Sequence, residues 1–386
     1  MDRETPLRIA IDAHSVGTRL GGNESYAVNL IEALAQIDDV NEYTLYVTTA
    51  EARDRFHQRW PNFKVHTTLP HTPLIRIPLT LSAELRKHPV DVLHVQFTAP
   101  PFCPCPAVVS IHDLSFEHLP QTFNRRSRTQ LRLTVRHSAR RAAMILTLSE
   151  HTRRDIIATY KIEEQKVTAI PLAAPAHFGP VVDDKELQRV RHNYGIDGDY
   201  VLSVGSIQPR KNLVRLIKAY ALLRGDHRGS KFPKLVLVGK RAWLYDETLR
   251  TLEEAGCRDS VVLTGYVPES DLPALYSGAL CFIYPSYFEG FGLPPLEAMK
   301  CGAPVIVGNA TSLPEVVGDA GLKVDPFDVS AIAASMDQLI KDSRLRQELS
   351  LKGLKRAGMF DWRETARQTL NVYQQVARGS FRSTAS

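Results

Sequence analysis

Short runs rich in β-branched residues alternate with helix-length stretches throughout the chain, and this alternation constrains the fold more than any other feature. Parallel strands cannot be joined by tight hairpins; each needs a long crossover, and a helix that buries its apolar stripe on the sheet supplies it. In the first half the strand candidates are residues 7–11, 44–47, 90–95, 107–111, 144–148 and 167–170. The second half repeats the theme at 200–204, 234–238, 261–264, 280–284, 304–307 and 322–324. A chain of 386 residues also exceeds the size at which one core usually keeps growing. The expectation is an α/β protein of two doubly wound, Rossmann-like domains facing across a cleft.

The segment from Pro171 to Pro180 holds three prolines and a glycine, which break helix and strand alike. It predicts an N-terminal domain over residues 1–175 and a C-terminal domain over 181–360 whose first helix covers 185–194. Ser149 reads as the N-cap of a helix running to Tyr160, and Ser312-Leu313-Pro314-Glu315 as a capping box.

Two strand-to-helix loops carry the chemistry. Glu289-Gly290-Phe291-Gly292-Leu293-Pro294-Pro295-Leu296-Glu297 sets two carboxylates eight residues apart around glycines and a proline pair. Its order is strand, glycine loop, then a helix with Pro294 or Pro295 in the first turn, where a missing N–H costs nothing. Glycine lets a ligand approach the backbone, and the unpaired N–H groups and positive dipole end of a helix start suit an anion such as phosphate. Two carboxylates beside such an anion make sense if they grip hydroxyls, which a sugar and a ribose provide. The second loop, Val204-Gly205-Ser206-Ile207-Gln208-Pro209-Arg210-Lys211-Asn212-Leu213, stands where open α/β sheets bind ligands. There a guanidinium can hold phosphate bidentately and an ammonium adds a point charge.

The first loop resembles the E-x-F-G-x(4)-E signature of the retaining, nucleotide-sugar-dependent glycosyltransferases related to glycogen synthase and bacterial mannosyltransferases (group 1, family 4-like). The second resembles their G-x(3)-P-R-K-N motif, with Ser206 where relatives often carry another arginine. The likeness runs from Ile9-Ala10-Ile11-Asp12 to the C-terminal helix and implies the GT-B fold. It places residues 361–386 as a helix crossing back to the N-terminal, acceptor-binding domain, followed by a frayed tail.

The resemblance also implies roles. Glu297 would accept hydrogen bonds from ribose hydroxyls, and Glu289 would hold the transferred sugar with backbone groups of Gly290, Phe291, Gly292 and Leu293 beside it. Arg210 and Lys211 would clamp the donor diphosphate, and Tyr266 and Val267 would lie along the nucleotide base. Gly21 and Gly22, in the loop 17–23, would offer N–H groups to the donor phosphates. His112 would lie near the donor sugar, with Asp113 either orienting its imidazole or capping the next turn. The expected catalytic set is His112, Glu289, Arg210 and Lys211, acting with retention and without cofactor or metal ion. Same-face attack and Glu289 as nucleophile both stay open. His112-Asp113-Leu114-Ser115-Phe116 and Pro209-Arg210-Lys211-Asn212 look most like bacterial mannosyltransferases of surface-polysaccharide or lipopolysaccharide assembly. That makes GDP-mannose the first donor and a UDP-sugar the second, with a glycan or lipid-diphosphate-linked acceptor.

Charge and composition bound the alternatives. A net charge of +6 fits anionic partners, and Arg128, Arg132, Arg136 and Arg140 recur every fourth residue with no acid between Asn124 and Arg141. On a helix this is a basic stripe, open to solvent or to an anionic membrane surface. A nucleic-acid binder is disfavoured, because aromatic interleaving and a recognition motif are missing. A glycosidase also pairs carboxylates but has no use for Arg210-Lys211; a phosphorylase or epimerase on the same fold is closer competition. No segment approaches 18 consecutive apolar residues, and Asp2, Arg3 and Glu4 precede an apolar stretch that Asp12 breaks. The expected location is the cytoplasm, with peripheral contact at the inner face of the membrane. Five cysteines suggest no disulfide framework, and Cys103-Pro104-Cys105 lacks a second Cys/His pair at zinc spacing.

Overall fold

The computed structural model describes residues 5–18, 21–226, 232–240 and 246–379. Arg19 and Leu20 of the 17–23 loop and the tail from Ser380 lie outside the described residues. The chain forms two compact units: one from the chain up to Leu172 together with the chain from Asp361 onward, the other from Ala173–Phe360.

The first unit holds a seven-stranded sheet of β1 (Arg8–Asp12), β2 (Glu42–Val47), β3 (Phe63–Thr67), β4 (Val92–Gln96), β5 (Ala107–Ser110), β6 (Met144–Thr147) and β7 (Val167–Ala169), in the order β3-β2-β1-β4-β5-β6-β7. All pairings are parallel, and every residue of β4, β5 and β6 is buried, as expected of strands covered by helices on both faces. The strand order reverses between β1 and β4, the topological switch at which such sheets bind ligands. β3 was not among the expected strands. Phe63-Lys64-Val65-His66-Thr67 mixes charge with apolar residues, which an edge strand paired only to β2 tolerates.

The helix Trp362–Ala377 belongs to this first unit, where it packs along the helix Gly22–Ile37. Asp361 caps its start by accepting from the Arg363 N–H at 2.9 Å, and Trp362, Ala366, Thr369, Tyr373 and Val376 form its buried face at helical spacing. Its Tyr373 hydroxyl bonds His94 Nδ1; His94 Nε2 lies 2.7 Å from Ser110 Oγ, and Ser110 Oγ 2.8 Å from the Tyr26 hydroxyl. This buried chain ties the end of the sequence to β4, β5 and the first helix.

The second unit holds β8 (Tyr200–Val204), β9 (Lys234–Val238), β10 (Val261–Gly265), β11 (Cys281–Tyr284), β12 (Val305–Gly308) and β13 (Gly321–Val324), in the order β10-β9-β8-β11-β12-β13. These too run parallel, with the switch between β8 and β11. Gly205 and Gly239 end neighbouring strands so closely that a Cβ on Gly239 would stand 2.0 Å from the Gly205 carbonyl oxygen.

Two local readings need correction. Ser149 does cap its helix, accepting from the Thr152 N–H at 3.1 Å, but Ser312 is not half of a capping box. Its hydroxyl lies instead 2.9 Å from the Glu289 carbonyl oxygen and 2.7 Å from that of Phe291. The arginine stripe lies on the helix Arg125–Arg141 as expected, yet it is narrower than its spacing suggests. Arg132 is exposed but bound to Glu117 at 2.6 Å, and Arg128 is half-buried, while Arg136 and Arg140 are exposed.

Candidate active site

In the second unit, the loops that follow β8 and β11 leave adjacent strands at the switch point, so residues nearly eighty positions apart meet there. The loop after β8 makes a short 3-10 turn, Pro209–Lys211, closed by Asn212 in the left-handed region at φ 61°. Asparagine tolerates that conformation, and its amide donates to the carbonyls of Pro285 at 3.0 Å and of Pro326. The turn is thereby locked to the loops after β11 and β13.

The result is a compact ion cluster on Glu289. Lys211 Nζ lies 2.7 Å from Oε1, and Arg210 Nη1 lies 2.8 Å from Oε2. The Tyr284 hydroxyl donates to Oε1 at 3.1 Å, and Ser286 Oγ stands 2.6 Å from the same oxygen. Lys211 also donates to the Tyr284 hydroxyl, and Arg210 to the Phe288 carbonyl at 3.0 Å. The Glu289 N–H donates to Thr311 Oγ1 at 3.0 Å, so both backbone and side chain of this residue are fixed. Burial opposes ionisation of Glu289, but the charges of Arg210 and Lys211 outweigh it and hold the carboxyl down at about 2.

Glu297 sits on the helix Leu293–Lys300 in a different environment. Its Oε2 accepts from the Tyr276 hydroxyl at 2.9 Å, and burial pushes its carboxyl up to about 7. The two acids of one loop–helix segment are thus set apart: Glu289 is firmly ionised and Glu297 is poised near neutrality. Gly292 precedes this helix at φ 118°, a conformation that side chains rarely adopt, and a Cβ there would lie 2.7 Å from a Leu313 methyl carbon. Gly290 and Phe291 are buried beside it and Leu293 is half-buried. Ser206 is exposed, Val267 is buried, and the exposed ring of Tyr266 lies under the Lys240 ammonium at 4.6 Å.

In the first unit, His112 follows the carboxyl end of β5. Its Nδ1 is 3.0 Å from Asn23 Oδ1, and the rings of Tyr26 and Phe97 flank it at 4.7 and 5.1 Å. Burial lowers the imidazole to about 4, so the ring is neutral at pH 7. A neutral ring that donates from Nδ1 carries its lone pair on Nε2, and this buried atom has no hydrogen-bond partner among the described residues. Asp113 accepts from the Ser115 N–H at 2.8 Å, which decides between its two expected roles in favour of capping. Gly21 and Gly22 are exposed at the start of the helix Gly22–Ile37, with open space where side chains would stand.

Several residues escaped sequence reasoning. Tyr284, Ser286, Thr311 and Asn23 belong to these clusters, and only their positions at or after strand ends or at a helix start hinted at it. Asp12 ends β1 and accepts two bonds from the fully buried Arg76, at 2.9 and 3.0 Å, while His14 Nδ1 stands 3.1 Å away. One D-x-D string exists, Asp197-Gly198-Asp199, but it precedes β8 and so lies at the amino end of that strand, with Asp197 paired to Lys234 at 3.2 Å.

Comparison with known proteins agrees with this geometry. Residues 184–356 match the family profile of glycosyl transferases group 1, and residues 20–175 that of glycosyltransferase family 4. The chain is 39% identical over 270 residues to O-antigen chain mannosyltransferase B of Escherichia coli, covering 69% of this chain and 70% of that one. It is 32% identical over 242 residues to the serotype-specific mannosyltransferase WbdA of Escherichia coli, covering 62% of this chain and 30% of WbdA. Sucrose-phosphate synthase from Thermosynechococcus elongatus superposes with a TM-score of 0.77 at 20% identity, over 97% of this chain and 100% of that one. The paired Rossmann-like units are those of the GT-B fold, and the chain belongs to the group 1, family 4 glycosyltransferases.

Proposed function

We propose that this enzyme transfers mannose from GDP-mannose to a glycan or lipid-linked acceptor in the assembly of a bacterial surface polysaccharide, with retention of configuration and without a metal ion. The observation that carries the reading is the Arg210–Glu289–Lys211 cluster at the switch point of the second unit, in a chain whose relatives include an O-antigen mannosyltransferase.

Glu289 holds both cations in place before any donor arrives, so a diphosphate meets charges already oriented for it. Their task is to stabilise the charge that grows on the departing nucleotide diphosphate, usually the largest catalytic term. Gly290, Phe291 and Gly292 leave the backbone of that loop near the sugar, and Glu289 offers remaining acceptor capacity to its hydroxyls. Glu297 accepts from the ribose, Tyr266 and Val267 border the base, and Ser206 adds a contact to the phosphates. In the first unit, Gly21 and Gly22 contribute backbone N–H groups, and His112 Nε2 accepts a sugar hydroxyl. Outward cations of the Arg125–Arg141 helix, Arg136 and Arg140 above all, together with its exposed Leu133, suit contact with an anionic membrane carrying a lipid-linked acceptor. No helix among the described residues is long and apolar enough to cross a membrane.

The test is a panel of nucleotide sugars, GDP-mannose and UDP-glucose included, read first by thermal shift and then by product analysis. GDP-mannose should raise the melting temperature most, because a ligand bound by the folded state alone stabilises it. Acceptor-dependent release of GDP should persist in EDTA and yield an α-mannoside by NMR. A β-linked product, a requirement for added divalent ion, or a preference for a UDP-sugar would each overturn the corresponding part of the reading.

A further inference from the structure

A second cluster of ligand-type side chains lies in the first unit, among groups that the transfer reaction does not use. Tyr46 of β2 and His66 of β3 are register partners, so their side chains share one face of the sheet, and their rings lie 6.0 Å apart. The helix Ser82–Lys87 covers that face. Leu81, which precedes it, and its Leu85 enter the same core cluster as Tyr46. With those two leucines committed inward, Glu84 and His88, one helical turn apart, come to the helix flank beside the edge strand. The His88 N–H still donates to the Glu84 carbonyl at 2.8 Å, which keeps the two at helical i, i+4 spacing. The imidazoles of His66 and His88 stand 5.3 Å apart, and one ligand atom from each of His66, Glu84 and His88 lies within 4.8 Å of the other two.

We propose that His66, Glu84 and His88 form a binding site for a divalent transition-metal ion of the zinc class. Two imidazole nitrogens and one carboxylate oxygen are a donor set that such borderline ions favour over magnesium or calcium. Bonds of about 2.0–2.2 Å put neighbouring ligand atoms roughly 3.3–3.5 Å apart around a tetrahedral ion. Small rotations of the three side chains close that difference, since His88 and Glu84 are part-exposed and meet only loosely, at 3.9 Å. Three protein ligands leave the fourth position to water. The bound ion would cross-link the edge strand β3, which has β2 as its single neighbour in the sheet, to the helix that covers it. Its role is therefore to fasten the margin of the first unit, apart from the Glu289 cluster in the second.

The test uses the full chain, stripped with EDTA and desalted into a non-chelating buffer, titrated with zinc chloride by calorimetry. The expected result is one ion per chain and a rise in melting temperature on zinc addition. Cobalt(II) should give visible absorption bands of a tetrahedral site. His66→Asn and His88→Asn should each weaken binding by roughly 10–100-fold or more, at least the loss seen when even an outer-shell partner is removed. Their melting temperatures in EDTA should match that of the parent chain; should either variant fold poorly, Glu84→Gln carries the same expectation. The exposed His57→Asn and the double variant Cys103→Ser/Cys105→Ser should bind as the parent does. Absence of saturable binding, binding that survives both histidine changes, or binding lost only with the two cysteines would overturn the assignment.

Discussion

The ammonium of Lys211 stands 2.7 Å from Oε1 of Glu289, with the two side chains only 10% and 9% exposed. An ion pair this enclosed adds little net stability compared with apolar residues, but removal of one partner leaves the other charge stranded. Such an arrangement points to a role for the charges other than stability.

Replacement of Lys211 by alanine is accordingly expected to lower turnover at saturating donor by roughly 10²–10³, about 2.7–4 kcal/mol, the effect of losing one charge-stabilising donor. Steady-state kinetics of nucleoside-diphosphate release measures it. Near-normal turnover would defeat the clamp assignment.

Glu289 makes the cluster sensitive to acid. Its carboxyl is held at about 2 against an ordinary value of 4.5, so its contribution to stability is complete above about pH 4.5 and is lost as the pH falls through 2. Glu289→Gln removes this contribution at every pH and leaves Arg210 and Lys211 uncompensated. Thermal melts of both proteins between pH 7 and 2 should show a large gap at neutrality that narrows with acid; a constant gap would assign the stability elsewhere.

Glu297 predicts the opposite trend. Raised to about 7 by burial, its carboxyl favours folding fully below about pH 4.5, and that contribution disappears as the pH climbs through 7. The ionised form is the better acceptor for ribose hydroxyls, so donor affinity should strengthen from pH 6 to 8. Glu297→Gln should flatten that dependence while keeping the fold. Calorimetry with the nucleotide diphosphate at three pH values is sufficient, and an unchanged profile in the variant would remove Glu297 from the binding site.

His112, at about 4, stays neutral throughout the working range, so no step in the pH–rate profile between 5 and 8 should trace to it. His112→Ala should lower kcat/KM by about three- to tenfold, the loss of one neutral hydrogen bond to the donor. Should the profile of His112→Ala lack a limb that the parent enzyme shows in that range, His112 acts as an acid or base instead.

Local pattern carried most of the fold. β8 and β9 occupy the expected residues, because a fully buried parallel strand is a continuous apolar run such as Tyr200-Val201-Leu202-Ser203-Val204. β3 was illegible for the complementary reason: Lys64 and His66 belong to an edge, where one buried neighbour suffices. The site was legible as two loops but not as one cluster. Motif spacing named Arg210, Lys211 and Glu289 separately, whereas their contact depends on β8 and β11 being neighbours, a property of strand order that local sequence does not encode. Ser312 misled because the same residue type caps helices and braces loops, and which carbonyl lies in reach is decided by tertiary packing.

The return of Trp362–Ala377 to the first unit separates the order of synthesis from the order of completion. On the ribosome the seven strands of that unit emerge long before the helix carrying Tyr373, and until then His94 lacks its phenolic partner and the Gly22–Ile37 helix lacks its cover. The contiguous second unit needs nothing made later than Phe360 and can settle first. For this chain a segment translated after the second unit seals one translated before it, so the first unit stays incomplete until the residues beyond Asp361 have been made.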